Sequence, residues 1–237
     1  MITIDRVSKA RGRTQILSDI TFEARPGRVT GFLGPNGAGK TSTLRILLGL
    51  DRAQSGTALV CGRPYRQLKR PLTTVGALLD GSGAHRARTA RAHLRWMATS
   101  NGLPGSRVEE VLAAVGLTGE AGKRAGRFSL GMSRRLGLAA ALLGDPEVLI
   151  LDEPVNGLDP AGIRWMREFL RSSAEQGRTV LLSSHLMGEL GETADDVIVI
   201  DKGRIVTQGS LADVTGGHRT LEDAFFALTA TEAGAPW

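Results

Sequence analysis

Short alternating patterns open the chain. Ile2 and Ile4, then Ile20, Phe22 and Ala24, are spaced as in antiparallel strands with one buried face. After the turn at Pro26-Gly27, the apolar run Val29–Leu33 reads as a fully buried strand, and residues 41–50 read as a helix. A turn at Ser55-Gly56 precedes a strand over residues 57–61, whose last residue, Cys61, is expected to pack as a small buried hydrophobe. From about residue 81 to 145 the period changes to helical. Residues 89–99 place Ala92, Leu94, Trp96 and Met97 at helical spacing, and residues 107–115 place Val108, Val111, Leu112 and Val115 on one side. A third helix, rich in Ala and Leu, covers residues 133–143.

Strand patterns resume at residues 148–151. Asp159-Pro160 then gives an N-cap followed by proline at the first helical position, opening a helix to about residue 176 that buries Ile163, Met166, Phe169 and Leu170 and stops at Gly177. Residues 179–183 form another buried strand, and residues 197–200 and 205–208 a hairpin across Lys202-Gly203. Strands alternating with helices predict an α/β fold with a mainly parallel sheet covered on both faces, preceded by an antiparallel N-terminal sheet and interrupted by a helical insertion. A tail from residue 216 carries one amphipathic segment, 221–228, with Phe225 and Phe226.

The buried strand Val29–Leu33 and the helix after it flank Gly34-Pro35-Asn36-Gly37-Ala38-Gly39-Lys40-Thr41-Ser42, which matches the phosphate-binding P-loop pattern G-x-x-x-x-G-K-[ST]. The glycines allow a tight turn with N–H groups aimed inward, and the following helix points its positive end at the same place. Lys40 supplies a charge for the outer phosphates, and the Thr41 hydroxyl is a hard oxygen ligand for Mg²⁺. Residues 148–153 form a Walker B type strand end. Asp152 suits the Mg²⁺ shell, and Glu153 suits orienting and deprotonating an attacking water.

Composition changes this picture little. The chain of 237 residues is long enough for a full core, with a net charge of +6 carried mostly by arginine. That excess suits either an acidic partner or a genome favouring Arg, Ala and Gly, and the second reading is preferred, so nucleic acid is not expected. No stretch approaches the ~18 apolar residues of a membrane span, and the first residues do not predict a signal peptide. A single cysteine fits a reducing cytosol. The four histidines show no metal-ligand spacing.

With these motifs in place, Phe128-Ser129-Leu130-Gly131-Met132 resembles the signature L-S-G-G-Q, and the chain resembles the ATP-binding subunit of an ABC (ATP-binding cassette) transporter, nearest the drug- and antibiotic-export type. The resemblance covers about residues 2–215. It implies a P-loop NTPase (RecA-like) core with an N-terminal antiparallel β-subdomain and an inserted α-helical subdomain at about 81–145, followed by a tail over 216–237. It implies hydrolysis of ATP with Mg²⁺ by a head-to-tail homodimer. In that pair, Ser129 and Gly131 of one copy meet the γ-phosphate held by the P-loop of the other. Asn156-Gly157-Leu158-Asp159 resembles the D-loop at the dimer interface, where Asp159 also remains an N-cap candidate. His185 matches the switch histidine, bonded to the γ-phosphate and the water, and Ser42 the α-phosphate ligand. A separate transmembrane permease is the implied partner, at the cytoplasmic face of the membrane, with export of a drug, antibiotic or other hydrophobic compound as the work.

Two positions depart from the family pattern. Arg11 stands where an adenine-stacking aromatic is usual, and is either a guanidinium stacked on the base or a solvated charge. Asp80 stands where the Q-loop glutamine is usual, and is read as metal-linked. Arg86, Arg88, Arg91 and Arg95 follow, either as a docking face for the permease or nearby anionic lipid head groups, or as a solvated basic face. The alternative in another class is a soluble ATPase switch of the same fold on ribosomes or DNA. The absence of a second cassette or of a coiled-coil or zinc insertion weighs against it. A nucleotide-gated module that scarcely hydrolyses is disfavoured by Glu153 and His185.

Overall fold

The computed structural model describes residues 1–79 and 83–230. In chain order its strands are β1 (Ile2–Arg11), β2 (Thr14–Ala24), β3 (Val29–Leu33), β4 (Ser55–Val60), β5 (Val75–Leu78), β6 (Val148–Asp152), β7 (Thr179–Ser184), β8 (Asp196–Asp201) and β9 (Arg204–Ser210). The helices are α1 (Lys40–Leu47), α2 (Pro71–Thr74), α3 (Ala90–Ser100), α4 (Ser106–Ala114), α5 (Leu130–Leu142), α6 (Pro160–Glu175), α7 (Met187–Gly191), α8 (Leu211–Thr215) and α9 (Leu221–Ala230). Two compact units share the chain: residues 1–67 with 169–237, and residues 68–168.

In the first unit, β1 pairs antiparallel with both β2 and β4. Its alternation puts Ile2 and Ile4 fully inside, and an irregularity between Ile4 and Val7, with Arg6 in left-handed backbone (φ 48°), shifts the parity so that Val7 is buried as well. Strand β3 runs parallel to β7 on one side and β8 on the other, and β9 closes back antiparallel on β8. All five residues of β3 and all six of β7 are buried, as expected of strands covered on both faces. Lys202 (φ 43°) and Gly203 (φ 76°) make the two-residue turn between β8 and β9, the left-handed pair that matches strand twist. The tail segment is helix α9, which buries Leu221, Ala224 and Phe225 and leaves Phe226 exposed.

In the second unit, β5 and β6 run parallel. Helix α4 buries Val108, Val111 and Leu112, with Val115 just beyond it, on the predicted stripe. Helix α3 differs from its prediction. Thr89 caps its start by accepting from Ala92 N, and the buried face is Ala90, His93, Leu94 and Ala98. Trp96 is 54% exposed, with the Arg88 guanidinium 4.7 Å from its ring centroid. The basic cluster is also less bare than its sequence. Arg91 Nε donates to Glu109 at 2.7 Å, and Arg95 lies 4.0 Å from the same carboxylate.

Cys61 is the other correction. Strand β4 stops at Val60, and Cys61 (φ 49°) and Gly62 (φ 75°) form an exposed left-handed turn closed by hydrogen bonds between Val60 and Arg63. The apolar run continues one residue past the strand, and turn geometry rather than burial decides its last position.

Candidate functional site

The P-loop is assembled within the first unit from parts distant in sequence. Strand β3 delivers Gly34, whose N–H donates to Ser184 O at 3.4 Å, so the loop begins beside the end of β7 and hence beside His185. A Cβ on Gly34 would lie 2.2 Å from Ile200 O, and one on Gly39 2.5 Å from Leu17 Cδ2. Gly39 also has φ 110°, which an L side chain rarely adopts. The turn after β8 donates from Gly203 N to Ala38 O at 3.0 Å, and Ser18 N in β2 donates to Gly203 O at 2.8 Å. The loop is thus wedged between β2 and the end of β8. Its crest, Pro35, Asn36 and Gly37, is exposed.

Lys40 is 6% exposed and turns back along the loop, where its Nζ donates to Gly34 O at 2.6 Å and Pro35 O at 3.2 Å. Helix α1 starts at Lys40 with no side chain capping it, so its N-terminal backbone offers hydrogen bonds and partial positive charge towards the loop. Thr41 is exposed and Ser42 half-buried in the first turn. These features make a cradle for a phosphate chain. Arg11 ends β1 as an exposed residue opposite Thr14 in the β1–β2 hairpin, whose second strand carries the Leu17 that seats Gly39.

The second unit holds the other half of the predicted residues. Asp152 ends β6 at 5% exposure, and Glu153 follows in left-handed backbone (φ 49°). A bulky side chain held there is strained, and strain of this kind collects at working sites. Ser129 caps α5 by accepting from Met132 N at 3.2 Å. Asp159 precedes α6 and accepts from Gly162 N at 2.8 Å, the capping role foreseen for it. Gly131 and Gly157 bring the signature stretch against the D-loop stretch: a Cβ on Gly131 would be 3.5 Å from Leu158 Cδ2, and one on Gly157 2.1 Å from Leu130 Cδ2. Asp80 lies outside the described residues.

Sequence reasoning did not find the buttresses. Ile200 and Leu17 are ordinary strand residues until the fold sets them against the loop glycines. Arg134 donates to Leu79 O at 3.2 Å. Arg135 donates to Val115 O at 3.1 Å and lies 4.4 Å from the Trp165 ring centroid, bracing the first turns of α5. Leu130 had a visible signal, since the resembling motif has glycine at its position.

A glycine loop leading from a buried parallel strand into a helix, with its lysine folded into the loop, defines the P-loop NTPase class. The ABC transporter family profile matches residues 17–156, and the chain belongs to that family, as an ATP-binding, ATP-hydrolysing cassette. It is 40% identical to the bacitracin transport ATP-binding protein BcrA of Bacillus licheniformis over 205 residues, 85% of this chain and 67% of that one. It is 34% identical to the lantibiotic transport ATP-binding protein SrtF of Streptococcus pyogenes over 225 residues, 95% and 96% of the two chains. Its fold is that of the bacterial ABC transporter cassette MJ0796, solved in dimeric form, with a TM-score of 0.81 at 20% identity over 89% of this chain and 99% of that one. Among the described residues, no helix is long and apolar enough to cross a membrane.

Proposed function

We propose that this chain is the motor subunit of an exporter, closing head to tail with a second copy on two ATP molecules and driving a separate transmembrane permease from the cytoplasmic face of the membrane. The cargo class we assign is an antibiotic or other hydrophobic compound, in line with the bacitracin and lantibiotic relatives. The observation that carries the reading is the P-loop built around Lys40 in a chain so similar to antibiotic-transport cassettes. Those relatives favour transport over a switch on ribosomes or DNA.

In this reading Lys40 exchanges its loop carbonyls for the outer phosphates, the α1 amides take the phosphate oxygens, and Ser42 takes the α-phosphate. Thr41 and Asp152, each a hard oxygen donor of the kind Mg²⁺ takes, are the residues this reading assigns to the ion. The ion, when bound, neutralises charge on the phosphates. Asp80 is assigned to the same metal-linked region. Glu153 accepts the proton of the attacking water, and His185 orients that water against the γ-phosphate. Ser129 and Gly131 serve the partner's nucleotide, and Asp159 steadies the interface. Arg11 covers the base.

The test is a tagged Glu153→Gln chain with Mg-ATP, assayed for pairing by size-exclusion chromatography and for partners by pull-down from detergent-solubilised membranes. Pairing that requires ATP, with a permease in the pull-down, is expected. A chain that stays single, or that brings down ribosomal or DNA-repair proteins instead, overturns the proposal.

A further inference from the structure

Two helix starts in the second unit are joined by their leading residues. Ser129 caps α5 and Asp159 caps α6. Between the caps, two consecutive signature residues mesh with two consecutive D-loop residues. Leu130 fills the space over Gly157, with its Cγ and Cδ2 3.0 and 2.1 Å from where a Cβ would stand, and Leu158 Cδ2 packs 3.5 Å from the Cβ position of Gly131. Leu158 in turn lies 3.2 Å from the Cβ position of Gly162, in the first turn of α6. Leu130 is 58% exposed, and among the described large apolar residues only Phe226 is as exposed. Burial of its own surface does not account for it. Its inner side is a knob, and the hole is a glycine in left-handed backbone (φ 74°), where any side chain would evict it.

We infer that Leu130 is a positioning residue for ATP hydrolysis, which locks the signature to the D-loop of the same chain through Gly157, so that both loops reach the partner's nucleotide site at one fixed spacing. The inference rests on the paired reading above, in which these two stretches face the second copy. In that reading Leu130 serves the nucleotide site of the partner and not its own P-loop. Its loss therefore lowers turnover while leaving nucleotide binding to the isolated chain as it was. A glycine at 130 would let each loop move alone.

The test is a mutant cycle on the full chain with Glu153 intact, reading kcat, KM, binding of a fluorescent ATP analogue and thermal melting. Leu130→Gly is expected to lower kcat by about tenfold with analogue affinity and melting temperature retained, and Leu130→Met, which keeps the volume, to restore it. Gly157→Ala unseats Leu130, so the double variant Leu130→Gly/Gly157→Ala should be no slower than Gly157→Ala alone. Losses in kcat that multiply in the double variant, or a Leu130→Gly chain with wild-type turnover, overturn the inference. If Gly157→Ala does not fold, the comparison of glycine with methionine at 130 decides alone. Pairing of the Glu153→Gln chain is scored separately, so the lock can fail while the pair stands, and the reverse.

Discussion

Lys40 Nζ and Gly34 O stand 2.6 Å apart, so the charge meant for phosphate is held by the loop it serves. A second bond to Pro35 O at 3.2 Å completes the fold-back. Hydrogen bonds from a charged donor contribute about 1.5–3 kcal/mol each. Nucleotide must outbid the loop carbonyls, which an anion does readily and a neutral ligand does not. Lys40→Met is expected to weaken ATP binding by roughly 10- to 100-fold while adenosine affinity stays unchanged. Titration of both ligands by fluorescence or calorimetry checks this. Parallel losses for the two would show that the variant had collapsed the site.

The P-loop glycines are predicted to be unequal. Gly34 faces a backbone oxygen, Ile200 O, 2.2 Å from its Cβ position, whereas a Cβ on Gly37 meets nothing within 4 Å. Gly34→Ala must shift strand β8 and should cost about 1–3 kcal/mol or more. Gly37→Ala carries only the strain of its left-handed backbone (φ 84°), about 1 kcal/mol. Melting temperatures should therefore fall in the order wild type, Gly37→Ala, Gly34→Ala. Equal drops would remove the packing account of Gly34.

Local chemistry explains what could be read from the sequence. The P-loop, the β6 carboxylates and the α6 cap each occupy one short stretch, and each predicted its own geometry. The stripe of α4 was legible because four strongly apolar residues share one period. Helix α3 was not. Its true stripe contains two alanines and a histidine, while its most apolar-looking residue, Trp96, lies off the stripe and pairs with Arg88 instead. The contacts that shape the site, Ile200 on Gly34, Leu17 on Gly39 and Leu130 on Gly157, are tertiary. No spacing encodes them, and only the glycines hint that something approaches closely.

His93 makes α3 sensitive to acid. It is 4% exposed, and neither ring nitrogen has a hydrogen-bond partner. Burial, with the Arg88 charge adding to it, lowers its pKa from the ordinary histidine value. The unfolded chain therefore takes up this proton first as pH falls. The stability contributed by neutral His93 is complete above about pH 6.5 and is lost progressively below it, towards the lower folded value. Urea midpoints measured from pH 7.5 to 5 should fall for wild type and fall less steeply for His93→Leu. The slopes are compared, because leucine also changes packing. Identical slopes would mean His93 does not titrate differently on unfolding.

Cys61 should behave as a turn residue. It sits exposed at φ 49° between Val60 and Gly62, and its N–H donates to Met1 O at 2.8 Å. A core cysteine would resist thiol reagents until the protein unfolded, so this one is expected to react to completion in the native state. Asparagine tolerates left-handed backbone and valine does not. Cys61→Asn should leave stability within about 0.5 kcal/mol of wild type, and Cys61→Val should cost about 1–2 kcal/mol. The valine substitution would be the milder one if burial governed the position, so the order of the two in a denaturant titration decides between turn and core.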